Sequence, residues 1–192
     1  MKKLLSLVLA AMLCLCALTP AMAETAVETF PYVLTDYAVY FNHLASGMFQ
    51  VEPQWVSDAE SGVAVASVPG YGDVIFGMDA NQNVTEIMTV VEMNINDNDA
   101  VKAKSNAFGQ IVALAALSSK AAEDLNGFTE EKIDAITAEL VAMINEMVGK
   151  IAEAATGNMV SNQKEIDGNM CTFFMQIDVT AMTMSFGFMM EP

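Results

Sequence analysis

The spacing of apolar side chains predicts where the first helix lies. Residues 37–44 carry tyrosine, phenylalanine and leucine at the i, i+3, i+4 and i+7 spacing of one helical face. Thr35 precedes them as a candidate N-cap, and Gly47 follows as a candidate stop. This pattern predicts a short amphipathic helix.

Alternating apolar and polar positions follow from residue 48 to residue 93. Turn residues interrupt the alternation near 57–62, 69–72 and 79–83, which predicts four antiparallel strands. The fourth strand carries apolar groups on both faces, so it is predicted to be central or covered on both sides. Its two candidate inward sets are Val84, Met88 and Val90, or Ile87, Val91 and Met93.

Two longer helices are predicted in the second half of the chain. Residues 97–99 offer an N-cap and an acidic first turn for a helix that runs to about Ser119. Thr129 caps the next one, where Phe128 can contact Ile133 as a hydrophobic staple. The apolar stripe of that helix is Ile136, Leu140, Met143, Ile144, Met147, Val148 and Ile151.

The last segment returns to alternation and predicts a closing hairpin with a turn near 178–181. Its matching faces are Cys171, Phe173, Met175 and Ile177 on one strand, and Met184, Phe186 and Phe188 on the other. The elements together predict an α+β domain in the order α-β-β-β-β-α-α-β-β. About six antiparallel strands would form one sheet, with two or three helices packed on it.

Residues 1–23 have the features of a secretory signal peptide. Two lysines precede an apolar run, Leu4–Leu18, and a small-residue cleavage site ends at Ala23. Residues 24–192 would then be one exported domain, secreted or held in the cell envelope. The apolar run is shorter than the ~20 residues that a membrane span needs, so no transmembrane anchor is expected in the mature form.

Charge narrows the range of partners. The chain has 24 acidic residues, eight lysines and no arginine, and the leader contains two of those lysines. All other lysines lie between Lys102 and Lys164, so residues 24–101 carry twelve acids and no lysine. Nucleic acid is therefore not an expected partner. Two interpretations stay open: a solvated acidic surface, or a site for a cation or cationic partner.

Few residues are available for nucleophilic or histidine-based chemistry. His43 is the single histidine, and Cys171 is the only cysteine outside the leader. A dyad of the two would need a thiol of lowered pKa, but the alternation of Cys171 with apolar residues predicts a buried, inert thiol. No G-x-S-x-G, HExxH or CxxC motif occurs. A pair of carboxylates in a cleft is the remaining route to catalysis.

Two polar stretches contain the oxygen ligands that calcium prefers. Asp79, Asn81 and Asn83 repeat the first alternate ligands of an EF-hand loop, and Asp97 and Asp99 belong to the other stretch. A polar turn between strands explains the first set equally well, and helix capping explains the second.

Methionine is frequent, with 16 in the chain and six after residue 169. Met182 and Met184, together with Cys171 across the hairpin, would offer copper(I) soft ligands. Met175, Met182, Met184 and Met190 also share the alternate positions of the phenylalanines, which predicts a core. A Met-rich face can instead form an adaptable surface for an apolar or peptide ligand.

The sequence as a whole predicts an exported binding domain with no enzymatic chemistry and no cofactor. Its partner would be an unidentified protein, peptide or small ligand, bound on the acidic half of the sheet or on the Met- and Phe-rich hairpin. The alternative is a metal-binding exported protein that takes calcium on the acidic segments or copper(I) on the methionines.

Overall fold

Antiparallel pairing of successive alternating segments builds the centre of this fold. The structure, a computed structural model, describes residues 27–58 and 60–192, so the predicted leader lies outside the described residues. Within them, seven strands form one antiparallel sheet, and four helices accompany it. The predicted α+β class and the general order of elements are confirmed, with one strand more than expected.

The elements are, in chain order, α1 (Leu34–Phe49), β1 (Gln54–Asp58), β2 (Val63–Val68), β3 (Gly72–Met78), β4 (Val84–Asn94), α2 (Asn98–Glu123), α3 (Glu130–Gly149), α4 (Ile151–Ala154), β5 (Val160–Ile166), β6 (Asn169–Asp178) and β7 (Thr183–Glu191).

The sheet consists of two meanders that meet in the middle. The strand order is β1-β2-β3-β4-β7-β6-β5, with every neighbouring pair antiparallel. The predicted central position of β4 is confirmed, because it lies between β3 and β7. Its register places Val91 opposite Phe186 and Met93 opposite Met184. The strands with apolar groups on both faces therefore occupy the centre.

The helices and one face of the sheet share a single core. In β4, Ile87 and Met93 point to this core and Val91 packs against it, so the second candidate inward set is observed. Val84 of the first set also joins the core, beyond the register shift at Gly77 and Met78. The α3 stripe is confirmed in part, because Val148 and Ile151 are 49% and 40% exposed. The sheet side of the core contains Ala64, Ala66, Val74, Phe76, Cys171, Phe173, Met175, Ile177, Met184, Phe186, Phe188 and Met190.

Helix boundaries follow the predicted caps in α2 and α3 but not in α1. Asp97 accepts a hydrogen bond from the Ala100 N–H at 2.9 Å, and Thr129 accepts one from the Lys132 N–H at 3.4 Å. The predicted helix α1 is present, but its predicted bounds were wrong, because it begins after Val33 without a side-chain cap. It continues through Gly47 and ends where Gln50 takes a left-handed φ of 58°.

The strand that the sequence did not predict is β5. Its interior is polar from Ser161 to Glu165, so the alternation signal is weak there. It lies at the sheet edge and pairs only with β6, and its Ser161 carbonyl accepts a hydrogen bond from Lys150 Nζ at 2.6 Å. In the part of the chain that the structure describes, no helix is long and apolar enough to cross a bilayer.

Candidate functional site

The sheet has a second face, on the side away from the helix-side core. Side chains alternate along each strand, so residues between the core positions point to it. Ile75 and Met88 lie there and are only 8% and 1% exposed, yet neither joins the core that the helices share. We call this surface the open face. Its apolar members are Val56, Val63, Val65, Ile75, Met88, Val90, Met170, Phe174 and Met189.

An apolar row crosses five adjacent strands of the open face. The register pairs Val56 with Val65, Val65 with Ile75, Ile75 with Met88, and Met88 with Met189. Four interstrand spacings of about 4.8 Å make this row about 19 Å long. The row begins at the edge strand, where Val56 is 70% exposed, and reaches the strands at the centre of the sheet.

Two glycines keep the open face smooth. The Phe174 ring lies directly over its cross-strand partner Gly187, where a Cβ atom would come 1.9 Å from the ring. The Glu86 side chain lies over Gly77 in the same way, with its Cγ 2.7 Å from the place of a Cβ. Both long side chains therefore lie along the sheet.

One hydroxyl on this face lacks a hydrogen-bond partner. Among the described residues, Thr172 Oγ1 is the single buried side-chain oxygen or nitrogen atom left unpaired. Thr172 lies opposite Met189, in line with the apolar row. A buried hydroxyl without a hydrogen-bond partner costs free energy.

Carboxylates surround the apolar row without a lysine among them. Strand register places seven acids on this face: Asp58, Asp73, Glu86, Glu92, Glu165, Asp178 and Glu191. Five of the six lysines in the described residues belong to the helices or their ends. The sixth, Lys164 of β5, reaches Glu139 of α3. The open face is therefore apolar and anionic, and the cations lie on the other side of the sheet.

A cleft of about 460 Å³ opens at one end of the open face. It is lined by Glu28, Glu86 and Glu191 together with Met170. Burial raises the pKa of Glu86, and the nearby charge of Glu191 raises it further. The ionised form of Glu86 is thus held in a place that disfavours it, and a cation in the cleft would relieve that cost.

The first predicted calcium stretch forms a turn. The Asp79 carboxylate accepts hydrogen bonds from the N–H groups of Asn81 and Asn83 and from the Asn83 side chain, at 2.8 to 2.9 Å. The hydrogen bond from the Asn83 side chain is the main cause that lowers the pKa of Asp79. These oxygens are already used in the β3–β4 turn.

The second predicted calcium stretch starts α2. Asp97 is the N-cap, and Asp99 is the acidic residue of the first turn. Among the described residues, no group of three or more histidine, cysteine, aspartate or glutamate side chains is arranged to hold a metal ion. The hydrogen bonds of Asp79 are those of a turn, and that of Asp97 is a helix cap.

The proposed copper ligands are not brought together. Cys171 pairs with Met190, whereas Met184 pairs with Ile177, six residues further along β6. At about 3.4 Å per residue, that separates the two sulfur ligands by about 20 Å. Met184 is a core residue, but Met182 lies in the β6–β7 turn with a φ of 54° and is 37% exposed. The expectation that Met182 belongs to the core was wrong.

The proposed Cys–His dyad is also not assembled. His43 is exposed on α1, whereas Cys171 is buried between the sheet and the helices. Burial raises the pKa of the Cys171 thiol to about 12, so the reactive thiolate does not form at neutral pH. Cys171 is the buried thiol that the alternation predicts.

A buried polar network was missed from the sequence. The hydroxyls of Tyr32 and Ser119 are 2.7 Å apart, and Ser119 donates to Glu123 Oε1 at 3.4 Å. Asn169 donates to the same oxygen at 2.9 Å, and Lys120 donates to Glu123 Oε2 at 2.5 Å. The prediction ended α2 at Ser119, one turn before these partners meet.

The network continues into the β5–β6 turn. Asp167 Oδ2 lies 3.3 Å from Lys120 Nζ and 3.0 Å from Lys132 Nζ. Partial burial acts against the ionised form of Asp167, but the two lysines outweigh it and lower its pKa. The residues of this network do not line the cleft at the end of the open face. Its function is to join α2, α3 and the hairpin.

A second cleft, of about 660 Å³, lies between the β2–β3 turn and the first half of α2. Tyr71, Val91, Ala103 and Ala107 give it a mainly apolar lining. Lys104 is at its wall and donates to the Glu92 carbonyl at 2.7 Å. The polar part of its lining includes Ser67 and Asp73, which are cross-strand partners.

Comparison of the chain with protein-family models, with curated proteins and with solved structures finds no match.

Proposed function

We propose that this chain is a secreted or cell-envelope binding protein that takes a partner on the open face and performs no enzymatic chemistry. The exposed and partly exposed apolar residues of the open face carry the proposal, namely Val56, Val65, Val90, Phe174 and Met189. Contiguous apolar surface outside the core of a soluble domain marks a contact surface. The unpaired Thr172 hydroxyl and the smooth surface over Gly187 support the same assignment.

The test uses residues 24–192 and a 13-residue amphipathic peptide with a leucine face and a glutamine face. Such a helix is about 20 Å long, which matches the row. Val56→Glu would place a charge in the contact and should weaken binding by about tenfold, measured by fluorescence anisotropy.

Val39→Glu is the matched control for this test. Val39 is 64% exposed on α1, against 70% for Val56, but it lies in the helix layer. The control should bind the peptide as the parent does. Equal loss in both variants, or no binding by the parent protein, would contradict the proposal.

Export is the second part of the proposal and rests on residues 1–23. Mass spectrometry of the exported product should give a chain that begins at Glu24. A product that still carries the leader would contradict this part and leave the open face to be judged separately.

A second candidate function is acid–base hydrolysis by Glu86 and Glu191. The raised pKa of Glu86, beside a second carboxylate in a cleft, is the pattern of a general acid. Turnover on a panel of glycoside substrates that disappears in Glu86→Gln would support it. An absence of turnover in the parent protein would remove it.

A further inference from the structure

We propose that the partner of the open face is cationic: a basic amphipathic segment of another protein whose apolar side covers the row and whose lysines or arginines meet the surrounding carboxylates. This inference rests on the proposed function and names the chemistry of the partner.

Charge complementarity carries the inference. Seven carboxylates lie on the open face, and the lysines of the described residues lie on or towards the helices. An interface between proteins matches opposite potentials, which speeds encounter and excludes partners of like charge. A neutral apolar partner would leave these carboxylates beside the contact without a counter-charge.

A second copy of this chain fits the face poorly. Two sheets that stack face to face lie about 10 Å apart, which equals the Debye length at about 0.1 M salt. Two open faces would therefore bring fourteen carboxylates into one layer with little screening and no lysine between them. The same sign of charge disfavours nucleic acid and anionic lipid.

The cleft at the end of the open face fits one basic side chain of such a partner. Glu28, Glu86 and Glu191 offer anionic oxygens, and Met170 offers an apolar wall for an aliphatic stem. Lysine and arginine bury their methylene groups along apolar surface while the charged end reaches polar groups. Met170 lines the cleft and lies on the same face as the row.

The experiment compares three peptides that share one leucine face and carry lysine, glutamine or glutamate on the other. Anisotropy titrations with residues 24–192 are run in about 50 mM and about 500 mM salt. We expect the lysine peptide to bind at least tenfold more tightly than the glutamine peptide, and the glutamate peptide to bind most weakly. High salt should reduce the difference several-fold.

Because the whole protein is acidic, the control must separate the open face from net charge. Glu86→Gln with Glu191→Gln removes two charges from the cleft. Asp134→Asn with Glu153→Gln removes two exposed charges from the helix layer. The first pair of changes should weaken binding of the lysine peptide about tenfold. The second pair should change its affinity less than twofold.

Each other outcome overturns a definite part. Equal affinity for the lysine and glutamine peptides would overturn the cationic partner and leave apolar docking intact. Equal loss in the two double variants would reduce the preference to net charge and overturn the inference. A dimer in sedimentation that dissociates on Val56→Glu would make a second copy the occupant. Failure of all three peptides would remove the proposed function itself.

Discussion

The two faces of the same sheet are both apolar but differ in what surrounds the apolar residues. On the helix side, Phe173 and Phe188 pack against each other, and Phe173 also meets Phe108 of α2. On the open face, Phe174 covers only a glycine of the neighbouring strand. One face is completed by the chain itself. The other has partly exposed apolar groups, such as Val65, Phe174 and Met189, and the unpaired Thr172 hydroxyl.

Charge follows the same division. Three lysines are ion-paired on the helix side. Lys120 pairs with Glu123, Lys132 with Asp167, and Lys164 with Glu139. The acids of the open face have no such partners in the strands beside them. The open face thus has seven acids and no lysine, whereas the rest of the described chain has sixteen acids and six lysines.

The largest expected effect is a difference in the free energy of unfolding between two variants, at the adjacent residues Phe173 and Phe174. Phe173→Ala removes a fully buried ring and should lower the free energy of unfolding by about 3 to 5 kcal/mol. Phe174→Ala removes a half-buried ring and should cost about 1 to 2 kcal/mol. Urea unfolding of both variants measures the difference. Similar losses would show that the two faces contribute equally to the core and would break the comparison.

The second prediction concerns the buried network of the helix side. Lys120→Met leaves Glu123 and Asp167 short of a cation and should cost about 2 to 3 kcal/mol near pH 7. The exposed Lys102 gives the control, since Lys102→Met should change stability by less than about 0.5 kcal/mol.

The pH dependence of that variant has a definite sign. The pKa of Asp167 is lowered in the folded state, so its stabilising contribution is present above the ordinary carboxyl range and is lost as the pH falls through the lowered value. The gap between the parent and Lys120→Met should therefore narrow in acid. A gap that stays constant down to about pH 2 would contradict this account of the network.

The elements could be predicted wherever one physical signal dominated. Thr129 capped α3 as expected, and β6 and β7 paired with the predicted faces together. The missed strand β5 had a signal in its turn, where Asp167 and Gly168 both have positive φ between paired residues of a hairpin. Asp-Gly is a strong hairpin signal, but the polar interior of β5 concealed the strand that precedes it.

The candidate site was predictable only in its composition. The uneven distribution of lysine was visible in the sequence, but strand order decides that Val56, Ile75 and Met189 form one row. That order joins β4 to β7, residues about 100 positions apart, which no local pattern encodes. Two adjacent methionines have different surroundings for the same reason. Met190 belongs to the core, whereas Met189 points to the open face.

The third prediction tests whether the open face is as smooth as its glycines imply. Gly187→Ala would push a Cβ atom into the Phe174 ring and should cost about 1 kcal/mol as the ring turns away. The same change in a Phe174→Ala background should cost almost nothing, because the obstructing ring is gone. A double-mutant cycle by urea unfolding measures this coupling. Additive losses would show that the ring does not lie on Gly187.

The smallest expected effect is that of Glu86→Gln. It is the most informative about function, because this change should raise the stability of the protein and lower its affinity for the lysine peptide. Burial and Glu191 raise the pKa of Glu86, so its charged form opposes folding. That cost is absent below the ordinary glutamate range and grows as the pH rises through the raised value of the folded state. Glu86→Gln should therefore stabilise the protein slightly at pH 7, by less than about 1 kcal/mol, and the gain should disappear near pH 4.

A carboxylate that serves only solubility has no reason to lie where it opposes folding, over Gly77 and beside Glu191. If Glu86→Gln raises the urea midpoint at pH 7 and also weakens the lysine peptide, the open face keeps this charge at the expense of stability because binding requires it. The control is Glu153→Gln, an exposed acid of α4, which should change neither quantity. A stabilised variant that binds the lysine peptide as well as the parent would separate the charge from the partner and leave only the apolar row as the contact.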